Sequence, residues 1–544
     1  MDKIKDEKIR FSGGIGYNHN LYLATGTDDR FNPFSNVVTG NVTASGYGFT
    51  VPVSFAYTNQ QFSHQLQPFN IIGLSPSYKN LTVHAGYRNL TFSPYTLSGH
   101  NFLGGGVEWN RNKFFISAMG GRLMRASEGI EERGILPVYD RYGGGIKAGL
   151  RDGGDEISFI TFYARDMPES IFSPSVFSGV RPMENQVYSI ILKKSIAEDV
   201  AVHFEGAASA ITHDTREVSP MAASGIGSLY FMPVTDNTEF YRAFNTGITF
   251  GINNGSFGVN FERVEPDFRT LGAYFFNSDF QNITGNFSKT LFKNKMSLSL
   301  TGGFQRDDLY NENMSRMNRF VGSANVSMNF SERFSASGSF SNFNSFTNVR
   351  PVDEVFLQTT EFDRLDTMNF VQLSQNMNLN MNYKVIENSR LIHNMHGGVN
   401  HNQISNTMGL TRIANGMTAA FGGYNISWKE SGLSVGANLN ANRNTYEAGN
   451  AYFAGGGLNL GAAFFKKKLR ANWVTNLSNN YEGRNLTANL VSIINSYSLK
   501  VGKFQSLALN MRYTGRRAVA DAQHTFYNTS FHEFMGTVGY NLSF

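Results

Sequence analysis

The stretch "NMNLNMNYKV", residues 376–385, sets an amide at every second position and an apolar side chain between. Asn376, Asn378, Asn380 and Asn382 alternate with Met377, Leu379, Met381 and Tyr383, and Lys384 continues the amide side. Successive side chains of a β-strand point to opposite faces, so a two-residue period writes a strand with one wet and one dry face. Which medium lies against each face then decides the fold.

The same period recurs along the chain. In "FTVPVSFAY", Phe49, Val51, Val53, Phe55 and Tyr57 share one face. In "MSLSLTGGFQ", Met296, Leu298, Leu300 and Phe304 oppose Ser297, Ser299, Thr301 and Gln305. "FVGSANVSMNF" at 320–330 and "LSVGANLNANRN" at 433–444 repeat the arrangement. No long stretch carries a convincing helical period.

Composition narrows the medium. Charged residues are only 16% of the 544, where about 25% is usual in soluble globular chains. Aromatics reach 14%, glycines number 55, and mean hydropathy is still only −0.28. Such a chain is apolar on one face and polar on the other. A soluble β-sandwich would carry Lys and Glu on its polar faces, whereas these are Asn, Ser, Thr and Gly. No run of 18 apolar residues marks a membrane helix, but barrel strands give a far weaker signal. "MDKIKDEKIR" has no apolar core, so a mature or shortened chain without signal peptide is expected. With no cysteine there are no disulfides or thiolate sites. A net charge of +5 without a basic block excludes a nucleic-acid partner.

The connections carry a second pattern. Short polar turns, such as "KN" at 79–80, "NRNK" at 110–113, "RDGGD" at 151–155, "NNG" at 253–255 and "KKK" at 466–468, alternate with longer segments. The longer ones include 166–184, 213–239, 264–280, 343–366 and 515–530. This arrangement predicts an all-β fold: a transmembrane, antiparallel, up-and-down β-barrel of about 26 strands (24–26), with short periplasmic turns and long extracellular loops. The whole chain, 1–544, reads as one barrel domain with both termini periplasmic.

The chain ends "FMGTVGYNLSF", with Tyr540, Leu542 and the terminal Phe544 on one face. This resembles the C-terminal strand signal of Gram-negative outer-membrane barrels, which the barrel assembly machinery recognises during biogenesis. The Gly/Asn/aromatic style, as in "LSPSYKNLTVHAGYRNLTFSPYTLSGHNFLGGGVEW" at 74–109, resembles large barrels of the Bacteroidota. The resemblance implies the cell outer membrane and its lipids as surroundings. Met377, Leu379, Met381 and Tyr383 are then expected to face lipid, and the four asparagines the lumen. Only a closed barrel satisfies every strand N–H and C=O inside a bilayer without a free edge.

About 26 strands spaced ~4.8 Å and tilted near 40° enclose a lumen roughly 50 Å across at the backbone. The first strand is expected near Arg10, leaving no room for a separate plug domain, so inward loops or another protein must fill the hole. Loops 167–185 and 218–237 supply candidates, because Ile171, Phe172, Phe177, Leu229, Tyr230 and Phe231 are apolar at loop positions. A plug or a surface lipoprotein is the corresponding partner class. Alternation turns His84, Arg88, Glu108, Lys147, Lys384, Arg470 and Arg512 inward. Their mixed signs predict no strong ion selectivity, which rings of one sign would give.

Candidate chemistry is thin. Gly432-Leu-Ser434-Val-Gly436 matches a nucleophile elbow, but lies in an alternating strand with no helix after it. "GGG" at 104–106 and 455–457 has no following helix to make a phosphate loop. Asp28-Asp29 and Asp307-Asp308 read as ordinary loop acids, and the histidines show no metal spacing. No catalytic residue, metal or cofactor is expected. The leading expectation is a porin-like transport channel or translocation pore gated by inward loops or a bound partner. The alternative is a non-conducting barrel subunit of a protein-export, lipoprotein or nutrient-uptake complex.

Overall fold

In the main sheet every described strand pairs antiparallel with its neighbours, and the last pairs with the first: Gly14 lies opposite Ser543 and Thr25 opposite His532. The sheet therefore has no edge. The computed structural model describes residues 8–27, 31–59, 70–129, 137–171, 180–216, 225–274, 277–310, 318–342, 370–408, 411–446, 449–519 and 529–544. Its main sheet has 27 strands. Two of these, Ile71–Leu74 and Ser77–Tyr78, are halves of one stave broken at Ser75-Pro76, since both pair with the same two neighbours. The barrel thus has the 26 staves the turn pattern predicts, and no α-helix occurs among the described residues.

Local chemistry sets one rim. A two-residue hairpin needs positive φ, which Asn and Gly tolerate. Asn112 (φ 54°), Gly153 (60°) and Asn254 (57°) supply it, and Tyr47 and Gly48 both adopt it. The opposite rim is uneven. There strand ends stand far apart in sequence up to Phe370, whereas beyond it Met408 pairs with Thr411, Tyr446 with Gly449 and Glu482 with Asn485, in strands of up to 18 residues.

Following directly opposed residues from strand to strand separates two faces. The outer face carries an apolar belt, with Phe114, Ile157, Phe159, Leu300, Leu458 and Leu477 all well exposed. Near the hairpin rim Phe49, Tyr78, Phe292, Phe330, Phe465 and Phe504 form an exposed aromatic ring, as at a membrane interface. Among the described residues, the inner face carries amides along 375–404 and 415–482. The buried cores lie elsewhere, inside the lumen against strands from Leu81 to Val264.

One inner pair is locked sterically. Gly104 and Gly121 face each other across two strands; a Cβ on Gly104 would lie 2.1 Å from the Gly120 oxygen. On neighbouring Gly105, which faces outward, the nearest atom would be 3.6 Å away. Gly104→Ala is therefore expected to cost about 3 kcal/mol, the upper range for overpacking, and Gly105→Ala almost nothing. Thermal unfolding followed by heat-dependent gel mobility measures both. Equal loss in the two variants would refute this assignment of faces.

Candidate functional site: a lumen filled in part by inward loops

Two connections on the uneven rim turn into the barrel instead of away from it. The first, residues 90–100, follows strand Leu81–Asn89. Ser93-Pro-Tyr-Thr96 makes a tight reversal, with Thr96 N–H donating to Ser93 O at 3.3 Å and Phe92 N–H to Leu97 O at 2.9 Å; proline suits the second position of such a turn. Phe92, Tyr95, Leu97 and His100 are all buried, Leu97 and His100 completely. The second, residues 265–274, buries Phe268, Thr270 and Leu271.

The two loops meet. Leu97–Ser98 pairs in parallel with Gly272–Ala273, and Thr270 Oγ1 donates to Thr96 O at 2.6 Å. Gly272 permits the contact, because a Cβ there would lie 2.4 Å from Thr96 O. Tyr95 packs edge-on against Phe268.

The wall then holds the loops. Asn185 is fully buried on the inner face; its Nδ2 donates to Ser209 Oγ at 2.8 Å and Ala210 O at 2.9 Å, and its Oδ1 accepts Leu271 N–H at 3.1 Å. Ser209 Oγ donates to Arg269 O at 2.7 Å. Tyr95 OH donates to Glu262 Oε1 at 2.6 Å, with burial and the adjacent carboxylate pushing the phenol well above its usual range. Lys147 Nζ reaches Phe92 O at 3.3 Å and Glu156 at 3.1 Å. Apolar inner residues Phe102, Met119, Ile160, Phe162 and Ile191 complete the seat for Leu97 and Leu271. His100 is stacked 3.7 Å from Tyr274, with Nδ1 2.9 Å from Asn101 O and no hydrogen-bond partner for Nε2 among the described residues. Burial is the main cause that pulls its pKa down to about 4.

The residues singled out in the sequence take varied places. Register puts Asn376, Asn378, Asn380, Asn382 and Lys384 on the inner face. There Asn380 donates to Asn378, and Asn378 to Asn400. Met377, Met381 and Tyr383 are each more than 40% exposed on the outer face, with Leu379 beside them. Lys384 bridges to Glu387 at 2.9 Å. His84 lies between Ser75 Oγ (2.8 Å) and Glu108 (3.4 Å), and Arg88 donates to Ser54 Oγ at 2.8 Å. Arg470 and Arg512 share the inner face with Ser498 and Asn510. Tyr540 and Leu542 lie in the closing strand, and Phe544 N–H donates to Gly13 O at 3.0 Å.

Of the apolar loop residues, those at 229–231 lie over the outer face. Ile171 packs with Tyr139 and Val180. Phe172 and Phe177 lie outside the described residues, as do 350–364 and Asp28-Asp29. Tyr230 and Met232 pack on Ala210, Tyr163 and Tyr188 of the outer face, and Leu229 and Phe231 project from it. Ser434 opens a strand directly after the Gly432 turn. No metal-ligand cluster occurs among the described residues.

A closed barrel with an exposed apolar belt, an aromatic rim and a lumen partly packed from within is an outer-membrane β-barrel. No protein-family model and no curated protein matches the sequence. Among solved structures the chain is similar to the P pilus usher (PapC) translocation pore, at 9% identity over 99% of this chain and 100% of that one, with a TM-score of 0.40. It is similar to the copper transporter OprC at 9% identity, over 98% and 80% of the two chains, TM-score 0.38. It is similar to the outer membrane protein OprD from Pseudomonas aeruginosa at 8% identity, over 98% and 94%, TM-score 0.33. The overlaps are loose, and nothing about what those proteins carry transfers to this chain.

Proposed function

We propose that this barrel is an outer-membrane channel or translocation pore whose own loops, 90–100 and 265–274, act as an internal gate. The hairpin rim and both termini face the periplasm, and the uneven rim faces outward; barrel, inner loops and termini work as one domain. The observation that carries the reading is the contrast between two sides of one lumen. One side is packed by loops held through a few discrete hydrogen bonds, whereas the other presents an amide-lined wall suited to water and uncharged polar solutes. Mixed, sparse inward charge fits weak ion selectivity. No catalytic role, metal or cofactor belongs to this reading.

Purified protein in planar bilayers provides the test. Intact protein is expected to show rare or small conductance steps, and a variant with 91–98 replaced by a short Gly-Ser linker to show large, frequent ones. A barrel that stays silent in both forms, though correctly folded, would sink the channel reading. It would favour instead a non-conducting subunit of an export, lipoprotein or nutrient-uptake complex, a reading supported by the complete burial of Thr96, Leu97 and His100.

A further inference from the structure

Gly105, Gly120 and Gly144 are directly opposed on three adjacent strands, and the row continues through Tyr163, Gln186 and Ala210 to Phe240. All lie on the outer face. Glycine inside a strand weakens it and marks a bend or a close approach of something to the backbone. Internal crowding does not explain Gly105 or Gly120. None of the three has positive φ; a Cβ would find nothing nearer than 3.6 Å at Gly105 and 4.0 Å at Gly120, whereas at Gly144 it would lie 3.1 Å from the Met119 carbonyl oxygen. A second outward row, Gly285–Gly302–Gly322, shows the contrast. There Phe320 covers the gap, its ring 3.3 Å from a Cβ on Gly302 and 2.8 Å from one on Gly322. The first row has no such ring over it: Gly105 and Gly144 line a groove of about 790 Å³, and Gly120 lies between them in the row.

The groove is amphipathic. Val107, Ala118 and Ile146 flank its glycine floor, while Tyr163, Arg165, Glu184 and Gln186 line the end toward the uneven rim. Phe231, Met232 and Pro233 overhang that end. This overhanging turn is built for a medium without water. Gln186 Oε1 accepts both Phe231 N–H (2.8 Å) and Met232 N–H (3.1 Å), Tyr188 OH donates to Leu229 O at 3.0 Å, and Tyr230 N–H donates to Gly227 O at 3.3 Å. Backbone that enters a bilayer must have its polar groups satisfied in this way. Meanwhile Leu229 and Phe231 are 68% and 88% exposed, as suits side chains dissolved in lipid. Glu184 accepts Tyr163 OH, but Arg165 Nε is buried and has no hydrogen-bond partner among the described residues.

The geometry points to a lipid site: the groove holds an acyl chain along Gly105, Gly120 and Gly144, with the amphiphile's phosphate at Arg165 and the re-entrant turn 227–233 clasping the chain. The glycines let the chain lie against the backbone, where dispersion contacts are densest. Arg165 supplies the charge complementary to an anionic head. The site stands whether or not the lumen conducts; only its assignment to the outer leaflet rests on the proposed orientation.

Photolabelling in nanodiscs tests it, using phosphatidylglycerol with a diazirine at mid-chain, and phosphatidylcholine and diacylglycerol bearing the same chain. Adducts are expected to concentrate on residues 103–122 and 142–147. Gly120→Leu fills the floor and is expected to lower them about five-fold, the effect of displacing one to two buried methylenes. Arg165→Gln is expected to reduce the preference for phosphatidylglycerol about five-fold and leave diacylglycerol labelling unchanged. Heat-dependent gel mobility checks folding of both variants. Adducts spread evenly around the belt, or unchanged in Gly120→Leu, would mean ordinary annular lipid and overturn the site. So would a photoreactive residue at Phe231 that captures a polypeptide in native membranes instead of lipid.

Discussion

Replacing Asn185 by leucine is expected to undock loop 265–274 and raise the open probability of the barrel by about two orders of magnitude. The side chain is fully buried and joins the loop to two wall strands at once. Leucine leaves the Leu271 N–H without an acceptor inside the packed lumen, at about 1–3 kcal/mol. Forcing an apolar branch against Ser209 and the Arg269 carbonyl adds a comparable overpacking term. A sum near 3 kcal/mol shifts the docked-to-undocked ratio about 100-fold, since each ~1.4 kcal/mol is tenfold. Asn459→Leu is the control. Asn459 donates to Asn425 at 3.2 Å on the amide-lined side of the same lumen, where no described loop docks. Single-channel recording of both variants decides the matter. If they behave alike, or if Asn185→Leu matches the unaltered protein, Asn185 does not hold the gate.

The wall was legible in the sequence because each strand states its own two faces. Asn378 and Met377 need no distant partner to declare which is wet, and turns such as "NNG" at 253–255 carry the conformational chemistry of a hairpin in two residues. The lumen filling was not legible, because its partners are remote. Thr270 bonds Thr96 across 174 residues and Tyr95 bonds Glu262 across 167, and neither loop looks unusual locally. One signal was present and unread. In "EISFITFYA" at 156–164 both alternating faces are apolar. A membrane strand with two dry faces must have something apolar inside the barrel, and Ile160 and Phe162 indeed seat the inward loops. The inner face is thus apolar here, whereas the described inner residues of 375–404 and 415–482 are mostly amides. Apolar composition also pointed to 229–231 as lumen filling or partner surface. Composition alone cannot tell which side of a wall a loop folds over, and Gln186 and Tyr188, on the outer face, draw this one outward.

Acidification is expected to loosen the docking of the two inner loops, the proposed gate, between about pH 6.5 and pH 4, through His100. When the loops are docked, burial is the first cause holding this imidazole neutral; Arg141 opposes its charge as well, and only the Asn101 carbonyl favours the proton. Released into water, the side chain returns to about 6.5. The undocked state therefore binds a proton that the docked state refuses. Docking is fully favoured above pH 6.5, weakens as pH falls, and stops weakening near pH 4, where the docked form titrates too. The displacement is worth about 3 kcal/mol over the whole window, at ~1.36 kcal/mol per pH unit. Asp279 acts in the opposite sense. Burial and the neighbouring Asp307 and Asp308 raise its pKa, so protonation favours its folded surroundings. His100→Phe separates the two. A phenyl ring can keep the stack on Tyr274 and cannot titrate, so it should flatten the rise in conductance between pH 7 and pH 5 while leaving the pH 7 behaviour nearly unchanged. A variant whose acid response is undiminished would place the proton-sensitive group elsewhere in the lumen.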